Sequence, residues 1–542
     1  MNQETETVLA YHDRTKHRLE KYARGPETLD WDDQPDPFRR FSGCDIVALP
    51  SPGAELEPLF ADLDKPELIP PKPLNKVNTG LLLELAFGLS AWKQFGPSRW
   101  ALRCNPSSGN LHPTEAYLIN TDKDLFNPGV YHYVSHDHHL ERRCLFTPEA
   151  TGTDIFIGLT SIHWREAWKY GERAYRYCQH DTGHALGALR YAAAILGWSV
   201  ELLAEWPDAD IAALLGINRS GDFRNHEHES PDIICRINTR AGRGKPLNTA
   251  ALLESAQSGA WFGKAESLRA YHLYKWPVID EVSKAAAKPY TQEAYWQPSR
   301  EQAIKSSCRQ TATAIIRQRR SAQQFDGKTP PLPLADFYRM LSAVLTPSKL
   351  PFDMWRWPPK IHLFIFIHRI EGLAPGLYAL PRNHDVLEKL QAATLTDFDW
   401  RKVEARHDNA SAAIPLYHLY SGDFRQLART LSCHQPIAAD GMFSLAMVAE
   451  FSGLMEEKPW IYRRLFWECG LIGQVLYLEA EAAGIRGTGI GCYFDDGVHE
   501  IVGIKDYNFQ SLYHFTVGKP LEDKRLQTLP AYAHLLRDKM DD

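Results

Sequence analysis

A short polar loop in the first third of the chain carries residues suited to holding an anion or the polar edge of a ring. It consists of Pro106, Ser107, Ser108, Gly109 and Asn110 and precedes an apolar stretch that predicts a strand. Two hydroxyls, a glycine and an amide make the loop rich in hydrogen-bond donors, which suits a phosphate. The alternative, which composition alone favours, is an ordinary Ser/Gly surface turn.

A second candidate anion site lies past the middle of the chain. Arg319, Arg320 and Ser321 are consecutive, and two guanidinium groups beside a hydroxyl can clamp a phosphate bidentately. Near the C-terminus, Lys524 and Arg525 offer further phosphate contacts. The alternative for the arginines is a solvated basic helix end, because another arginine stands two residues earlier.

A glycine-rich segment follows an apolar, helix-like stretch in the second half. Gly487, Gly489 and Gly491 alternate there with Thr488 and Ile490. Because glycines let a backbone N–H approach a flat ligand closely, the amides of Gly489, Ile490 and Gly491 are candidates to line an aromatic ring system. A Gly-x-Gly pattern alone is a weak signal.

The chain also repeats itself. Residues 175–197 match residues 462–484 at a constant offset of 287. Two shorter blocks match at offsets of 247 and 260, namely 128–131 with 375–378 and 70–74 with 330–334. Three collinear matches indicate a duplicated domain.

Composition narrows the class of protein. A length of 542 residues exceeds what one core usually serves, so we expect two domains. The net charge of −6 argues against a general nucleic-acid binder, and no apolar stretch is long enough to span a membrane. No signal-peptide pattern opens the sequence, and the nine scattered cysteines form no Cys-x-x-Cys pair. We therefore expect a soluble cytoplasmic protein without a bound metal.

Alternating helical and strand patterns predict an α+β fold rather than a doubly wound parallel sheet. Helices are predicted at 81–89, 174–197 and 461–484, and strands at 116–119, 130–133 and 361–367. The predicted organisation is an irregular N-terminal arm wrapping the first domain at 1–50, that domain at 51–240, a surface-packed connector at 241–300 and a second domain at 301–542.

Together the motifs resemble the FMN-dependent nitroreductase superfamily, and within it the SagB-type dehydrogenases that form thiazoles and oxazoles. The resemblance covers most of residues 10–240 and 310–525. Arg319, Arg320 and Ser321 with Phe325 are similar to the family's opening Arg-x-Ser-x-Arg-x-Phe motif. The 106–109 loop with Pro113-Thr114-Glu115 resembles the branch's Pro-Ser-Ala-Gly segment and the Pro-x-Glu after it. Residues 484–494 and then 517–520 match the family's closing pattern.

This resemblance implies a fold and a cofactor. Family members are typically homodimers that bind FMN in the interface, each site taking parts from both subunits. The chain is therefore expected to be an intramolecular pseudo-dimer of two nitroreductase-like domains, each with an antiparallel or mixed sheet flanked by helices. Arg319, Arg320, Ser321, Lys524 and Arg525 would then hold the FMN phosphate. The 106–110 loop would close the pocket, and the Gly489–Gly491 amides would line the flavin ring.

The two copies have lost different parts. At the offset of 260, the arginine motif aligns with residues 59–61 of the first copy, which include no arginine clamp. At the offset of 247, the serine loop aligns with residues 354–356 of the second copy, which include no serine. One complete composite site remains, so we expect one FMN per chain. The alternative is that Pro347-Ser348 is a displaced remnant of the missing serine loop, in which case the second site would still bind flavin. Gln323 is a departure, because it stands where the family usually has a basic residue.

Lys169 and Tyr170 resemble the Lys-Tyr pair linked to azoline oxidation in SagB-type enzymes. Removing a ring proton while hydride leaves for a flavin requires a base, and a Lys with a lowered pKa or a Tyr could serve. The second copy has Glu456-Glu457 at these positions. The alternative is an amphipathic helix face with a Lys whose charged end reaches solvent.

Histidine clusters are weaker candidates. His136-Asp137-His138-His139 lacks helical metal-ligand spacing and is interpreted as a polar surface turn rather than a zinc site. His180, Asp181 and His184 share one apolar helix and are interpreted as satisfied core or pocket-lining groups.

The sequence therefore predicts an FMN-dependent oxidoreductase whose flavin accepts hydride from a small organic or peptide substrate, with a peptide azoline as one candidate. One alternative is an NAD(P)H-dependent reductase of nitro or quinone compounds. Another is a catalytically inactive scaffold that binds a peptide or protein. Neither nucleic acid nor membrane is an expected partner, and association beyond the internal pseudo-dimer stays open.

Overall fold

The chain divides into two compact units in a computed structural model. The N unit comprises Gly25–Tyr295, Thr311–Arg317 and Arg525–Asp542, and the C unit comprises Met1–Arg24, Trp296–Gln310 and Gln318–Lys524. The structure describes residues 2–146, 152–224, 227–240, 248–269, 273–293, 296, 304–345, 348–404, 414–456 and 458–537. Each unit therefore contains short segments from the opposite half of the sequence.

The helices of the described residues are as follows, in chain order: α1 Gln3–Arg14, α2 Lys76–Phe87, α3 His163–Tyr170, α4 Ala174–Ile195, α5 Asp208–Leu215, α6 Thr249–Ser258, α7 Pro277–Ala285, α8 Ala312–Gln318, α9 Leu334–Leu345, α10 Leu387–Ala393, α11 Arg425–Leu431, α12 Ile437–Asp440, α13 Ser452–Met455, α14 Ile461–Ala482, α15 Asp495–Val502 and α16 Ala533–Arg537.

The strands are, in the same order: β1 Phe41–Ser42, β2 Asp45–Ala48, β3 Leu89–Phe95, β4 Ser98–Arg103, β5 Thr114–Asn120, β6 Gly129–Val134, β7 His139–Leu145, β8 Ile155–Ser161, β9 Ser199–Leu202, β10 Ser230–Asn238, β11 Ala260–Trp261, β12 Lys264–Ala265, β13 Ile361–Ile367, β14 Gly376–Leu380, β15 Arg401–Lys402, β16 Tyr417–Ser421, β17 Phe443–Glu450, β18 Arg486–Ile490, β19 Phe509–Gly518 and β20 Gln527–Leu529.

An eight-stranded antiparallel sheet forms the centre of the N unit. Its order is β11-β7-β6-β5-β8-β10-β9, with β2 pairing to β7 as well. Every residue of β5 and β8 is buried, because helices cover one face and aromatic side chains the other. Helix α4 packs on β5, β8, α2 and α3, and all 22 of its residues are buried. Its many Ala and Gly residues allow this close approach on all sides.

The C unit is built on a seven-stranded antiparallel sheet. Its order is β15-β16-β14-β13-β17-β19-β18. Strand β13, with the sequence Ile-His-Leu-Phe-Ile-Phe-Ile, is buried throughout and pairs with β14 and β17. The long helix α14 packs against β13, β18, β19 and α9. Continuous apolar strands such as β13 are expected where both faces of a sheet are covered.

The two sheets have matching strand orders. Reading β7-β6-β5-β8-β10-β9 in one unit and β16-β14-β13-β17-β19-β18 in the other gives the same arrangement, with α4 and α14 at equivalent places in the sequence. The longest repeat, 175–197 with 462–484, falls on α4 and α14. The predicted α+β fold with two domains of one kind is confirmed.

The N-terminal arm differs from the prediction. Residues 3–14 form α1, and residues 1–24 belong to the C unit rather than wrapping the first domain. Thr5 Oγ1 donates to the Met455 carbonyl at 2.8 Å, and the His12 ring lies 3.2 Å from Gln510 Oε1. The reason is a helix with buried Val8 and Tyr11, which finds its apolar partner in the C unit.

The predicted connector is largely structured where it is described. Strand β11 extends the N-unit sheet at β7, and β12 pairs with β1. Helices α6 and α7 bury Leu252, Ile279 and Val282. Among the described residues, no helix is long and apolar enough to cross a membrane.

Candidate functional site

The serine loop of the N unit lies between β4 and β5 and is held by Asp181 of α4. The Asp181 carboxylate accepts hydrogen bonds from the Ser108 N–H at 3.1 Å and from Ser108 Oγ at 3.0 Å. Ser107 also bonds to Asp181, while its Oγ accepts the His112 N–H at 2.8 Å. Both hydroxyls therefore organise the loop itself, so a ligand in contact with them would share them with Asp181.

Tyr170 packs directly on this loop. Gly109 has a φ of +59°, and a Cβ at that position would lie 2.5 Å from Oη of Tyr170. A side chain at residue 109 is thus excluded both by backbone conformation and by the tyrosine. The Tyr170 ring in turn lies 4.4 Å from the ring of Tyr177 on α4. The structure brings together two motifs, the serine loop and the Lys-Tyr pair, that are 60 residues apart.

Lys169 is half-buried at the end of α3. Its Nζ lies 5.8 Å from the centre of the Trp31 ring and 5.4 Å from that of Tyr170. Burial lowers the pKa of Lys169, and the nearby Glu166 carboxyl opposes that shift. The direction is the one that a base working near neutral pH needs.

Glu166, one turn before Lys169, was not identified from the sequence. Its side chain is fully buried, and neither carboxyl oxygen has a hydrogen-bond partner among the described residues. Burial, reinforced by the charge of Asp181, raises the pKa of Glu166 well above its usual value, while Lys169 and Arg165 oppose the shift. The three-residue spacing from Lys169 places both on one helix face. That spacing was available in the sequence, but the burial was not.

Asp181 forms the second part of this acidic pair. Burial raises its pKa to about 7, although the hydrogen bonds from Ser107 and Ser108 oppose the shift. The sequence analysis interpreted Asp181 as a satisfied core or pocket-lining group, and the structure places it in hydrogen bonds with the serine loop. Glu166 therefore lies near both Lys169 and Asp181, and both buried carboxyls are protonated more readily than a surface carboxyl.

The raised pKa of Asp181 predicts a pH-dependent stability. A carboxyl whose pKa is higher in the folded than in the unfolded protein contributes stability at low pH, which is lost as the pH rises from 3.8 to about 7. The Asp181→Asn variant keeps an acceptor for Ser108 and removes the titration. We expect its free energy of unfolding, relative to that of the natural protein, to rise by about 3 kcal/mol between pH 5 and pH 8.

Urea unfolding at the two pH values measures this difference. Asp124→Asn is the matched control, since Asp124 is exposed in the same unit. Its stability relative to the natural protein should not change with pH. An equally flat difference for Asp181→Asn would contradict the buried-acid assignment.

The predicted phosphate clamp and glycine segment meet in the C unit through Tyr477 of α14. The Tyr477 hydroxyl lies 2.7 Å from Ser321 Oγ and accepts the Gly489 N–H at 2.8 Å. The Arg319 guanidinium lies 5.1 Å from the centre of the Tyr477 ring and is buried. Three residues predicted to bind a cofactor are therefore assembled around one tyrosine that the sequence did not single out.

The charges around this cluster are mixed. The Arg320 N–H donates to Glu481 Oε1 at 3.2 Å, and Arg486 Nε lies 3.2 Å from the same oxygen. Burial raises the pKa of Glu481, and Arg486 opposes the shift. Arg486 also forms an ion pair with Glu522, so three guanidinium groups stand against two carboxylates and the cluster keeps a small positive excess.

The glycines have a packing role that the sequence did not reveal. The missing side chains of Gly487 and Gly489 leave room for the rings of Phe515 and Tyr513 on the neighbouring strand β19. Because the Gly489 N–H is bonded to Tyr477, it is not an open donor for a flat ligand. Ile490 is buried, and Gly491 is half-buried just beyond the end of β18.

The remaining predicted contacts have other surroundings. Gln323 and Lys524 are exposed in the C unit. Arg525 belongs to the N unit, where its guanidinium lies 5.7 Å from the Phe95 ring. Pro106 is buried, and the Asn110 amide donates to the Ala101 carbonyl at 2.9 Å. Pro347 and Glu457, which bore on the second copy, lie outside the described residues.

A cavity of about 1420 Å³ opens in the N unit beside the serine loop. Asn110 lines it, as does Trp31, the ring that flanks Lys169. Its wall is otherwise aromatic and charged and includes Phe38, Trp92, Trp100, Asp36, Arg99 and Arg224. The cavity is large enough for a drug-sized molecule or a short extended peptide.

The histidine turn is more organised than predicted. His136 and Asp137 approach His534 so that one ligand atom of each lies within 4.8 Å of the others, a geometry that could hold a metal ion. However, Arg40 donates to Asp137 Oδ2 at 2.8 Å and already provides the positive charge. His138 is buried, with its Nδ1 2.9 Å from the Tyr133 hydroxyl, rather than part of a surface turn.

Comparison with known proteins identifies the fold. No protein-family model and no curated protein matches the chain. A solved structure from Ralstonia eutropha, named as a nitroreductase, covers 41% of this chain and 99% of its own at 15% identity and a TM-score of 0.27. The Escherichia coli microcin synthetase complex covers 44% and 92% at 17% identity and a TM-score of 0.27. Those TM-scores are too low to support an inference.

A further match is much more extensive. A structure from Anabaena variabilis, also named as a nitroreductase, is similar over 95% of this chain and 99% of its own, with a TM-score of 0.66 and 21% identity. At that identity the likeness establishes the fold alone. The chain has the nitroreductase fold over nearly its whole length.

Proposed function

We propose that this chain is an FMN-dependent oxidoreductase of the nitroreductase type, related to the SagB-type dehydrogenases. The observation that carries the proposal is the Tyr477 hydroxyl, which joins Ser321 of the clamp to Gly489 of the glycine segment. Two motifs selected independently from the sequence are neighbours in the C unit. Chance would not be expected to place them around one side chain.

The donor set of the C unit fits the phosphate of FMN. Arg319 and Arg320 supply guanidinium donors, and the exposed Ser321 supplies a hydroxyl. A phosphate carries close to two negative charges at neutral pH, which the positive excess of this cluster would balance in part. That one FMN per chain also uses the serine loop stays a prediction from the sequence.

Residues of the N unit would take part in the transfer of the proton that the substrate loses. Bound FMN would supply a hydride acceptor for an organic substrate. Lys169, with its lowered pKa, would accept the proton that leaves the substrate, and Tyr170 would orient it. The cavity beside Asn110 would hold that substrate, for which a peptide azoline is our specific suggestion.

An NAD(P)H-dependent nitro or quinone reductase is the alternative within the same chemistry. The discriminating experiment is anaerobic mixing of the flavin-loaded protein with NADH or NADPH and, separately, with a synthetic thiazoline amide. We expect the flavin absorbance to bleach with the thiazoline and to persist with either nucleotide. Bleaching by a nucleotide alone would favour the reductase.

A scaffold without catalysis is the alternative from a different class. It predicts no flavin even after incubation with excess FMN. A duplicated ancestor would explain the matched strand orders of the two units under either alternative. The retention of an arginine clamp in one half and a serine loop in the other favours the enzyme, because independent drift would not spare complementary parts.

A further inference from the structure

Two cysteines that are 59 residues apart in sequence meet in the C unit. The Sγ atoms of Cys433 and Cys492 are 2.6 Å apart, and both side chains are half-buried. Cys433 follows α11, and Cys492 lies two residues beyond β18. Such a separation is shorter than ordinary contact between two unbonded sulfurs, so little movement is needed to join them.

The surrounding backbone fixes this approach on both sides. The Phe494 N–H donates to the Leu431 carbonyl at 2.8 Å, which ties the segment after β18 to the end of α11. The Gln435 side-chain amide donates to the Cys492 carbonyl at 3.1 Å and to the Ser432 carbonyl at 2.9 Å. The two thiols therefore lie beside two hydrogen bonds that join their segments, rather than at the tips of separate loops.

The conformation at Cys433 is unusual. Cys433 and the following His434 have φ values of 51° and 60°, in the left-handed region that non-glycine residues seldom adopt. Each such residue is strained and persists only where neighbouring contacts enforce its conformation. Here the enforced conformation is the one that holds the Cys433 sulfur next to Cys492.

We infer that Cys433 and Cys492 form a reversible dithiol–disulfide pair, a modification site oxidised by hydroperoxides. The phenol of Tyr22 is hydrogen-bonded to Cys433 and is about half exposed. A hydroxyl at this position can donate to a thiolate as it forms. The inference concerns the thiols alone and does not depend on the proposed flavin chemistry.

The reaction balances with hydrogen peroxide as the oxidant. One thiol loses its proton, and the thiolate sulfur attacks a peroxide oxygen, which breaks the O–O bond and yields a sulfenic acid and hydroxide. The second thiol then displaces the sulfenic oxygen and forms the S–S bond. The two thiol protons leave with the two oxygens and two hydrogens of the peroxide as two waters, and a dithiol reductant reverses the change.

Other cysteines are poorer candidates for the same oxidant. Burial raises the pKa of Cys44 to about 11 and that of Cys144 to about 12. Burial also raises the pKa values of Cys178 and Cys469 well above the ordinary value. Because the thiolate is the reactive form, these thiols should react slowly.

Peptide mapping of the whole natural protein tests the inference. The folded protein is treated with a small excess of hydrogen peroxide, blocked with a maleimide under denaturing conditions and digested with trypsin. Cleavage after Arg429 and Arg486 leaves each cysteine in a peptide with no other cysteine. We expect a cross-linked peptide pair that reductant separates, and a drop in titratable thiols from nine to seven.

Two single variants test whether the cross-link depends on Cys433. In Cys433→Ser the cross-link should vanish, and a sulfenic-acid trap should label Cys492 instead. Cys308→Ser is the matched control, since Cys308 is also half-buried in the C unit, and it should keep the cross-link. Retention of all nine thiols, or peroxide oxidation without the 433–492 cross-link in the natural protein, would overturn the inference.

Discussion

Arg319→Ala should weaken FMN binding by about 100-fold. Hydrogen bonds to charged groups contribute about 1.5–3 kcal/mol, and 1.4 kcal/mol corresponds to a tenfold change in affinity. Arg319 is buried beside Tyr477, so no solvent-exposed side chain would readily replace its guanidinium. The double variant Arg319→Ala/Arg320→Ala should purify without flavin. Fluorescence titration of the flavin-free protein with FMN measures the dissociation constant.

Two further variants separate lost binding from lost fold. Arg309→Ala removes an exposed arginine from the same part of the chain and should leave FMN affinity unchanged. Ser321→Ala removes one hydrogen bond from a neutral donor to the charged phosphate, for which about tenfold weaker binding is expected. Circular dichroism should show intact secondary structure in all of them. Unchanged affinity in a folded Arg319→Ala protein would refute the phosphate assignment.

Lys169→Met should slow flavin reduction by a thiazoline substrate by about 100- to 1000-fold. General-base catalysis typically contributes rate factors of this size. Methionine retains much of the length and apolar stem of the lysine while removing the amine. The natural protein should also become faster as the pH rises through the lowered pKa of Lys169, because the neutral amine is the base. Stopped-flow absorbance at several pH values measures both effects.

Lys123→Met is the control for Lys169→Met. Lys123 is exposed in a turn of the N unit, and its replacement should alter neither the rate nor the pH profile. Tyr170→Phe keeps the ring that packs on Gly109 and tests the hydroxyl alone. A Lys169→Met protein that is as fast as the natural one, with the same pH profile, would remove Lys169 from the mechanism.

The central strand β13 and the long helices α4 and α14 were predictable because their patterns of apolar residues are strong. Strand β13 is apolar except for His362, and α4 and α14 were predicted to within two residues at each end. Helix α1 was missed although its signals were present. Asn2 caps it by accepting the Thr5 N–H at 2.8 Å, and Glu4 and Glu6 stand in its first turn. Its overall polarity concealed a narrow apolar face.

The candidate site was only half predictable. Arg319, Ser321 and Lys169 could be identified from the sequence, because each lies in a short motif of residue types that bind phosphate or act as a base. Tyr477 and Glu166 could not be identified in this way, because their roles depend on burial and on contacts between residues far apart in the sequence. The serine loop was identified, but its anchor on Asp181 was not, because that hydrogen bond spans 73 residues.

Flavin content tests the central proposal most directly. The purified protein is incubated with excess FMN, desalted and denatured, and the released flavin is quantified per chain and identified by chromatography. We expect about one FMN per chain. Two per chain would contradict the loss of one site, and no bound flavin at all would contradict the assignment of this chain as an FMN enzyme.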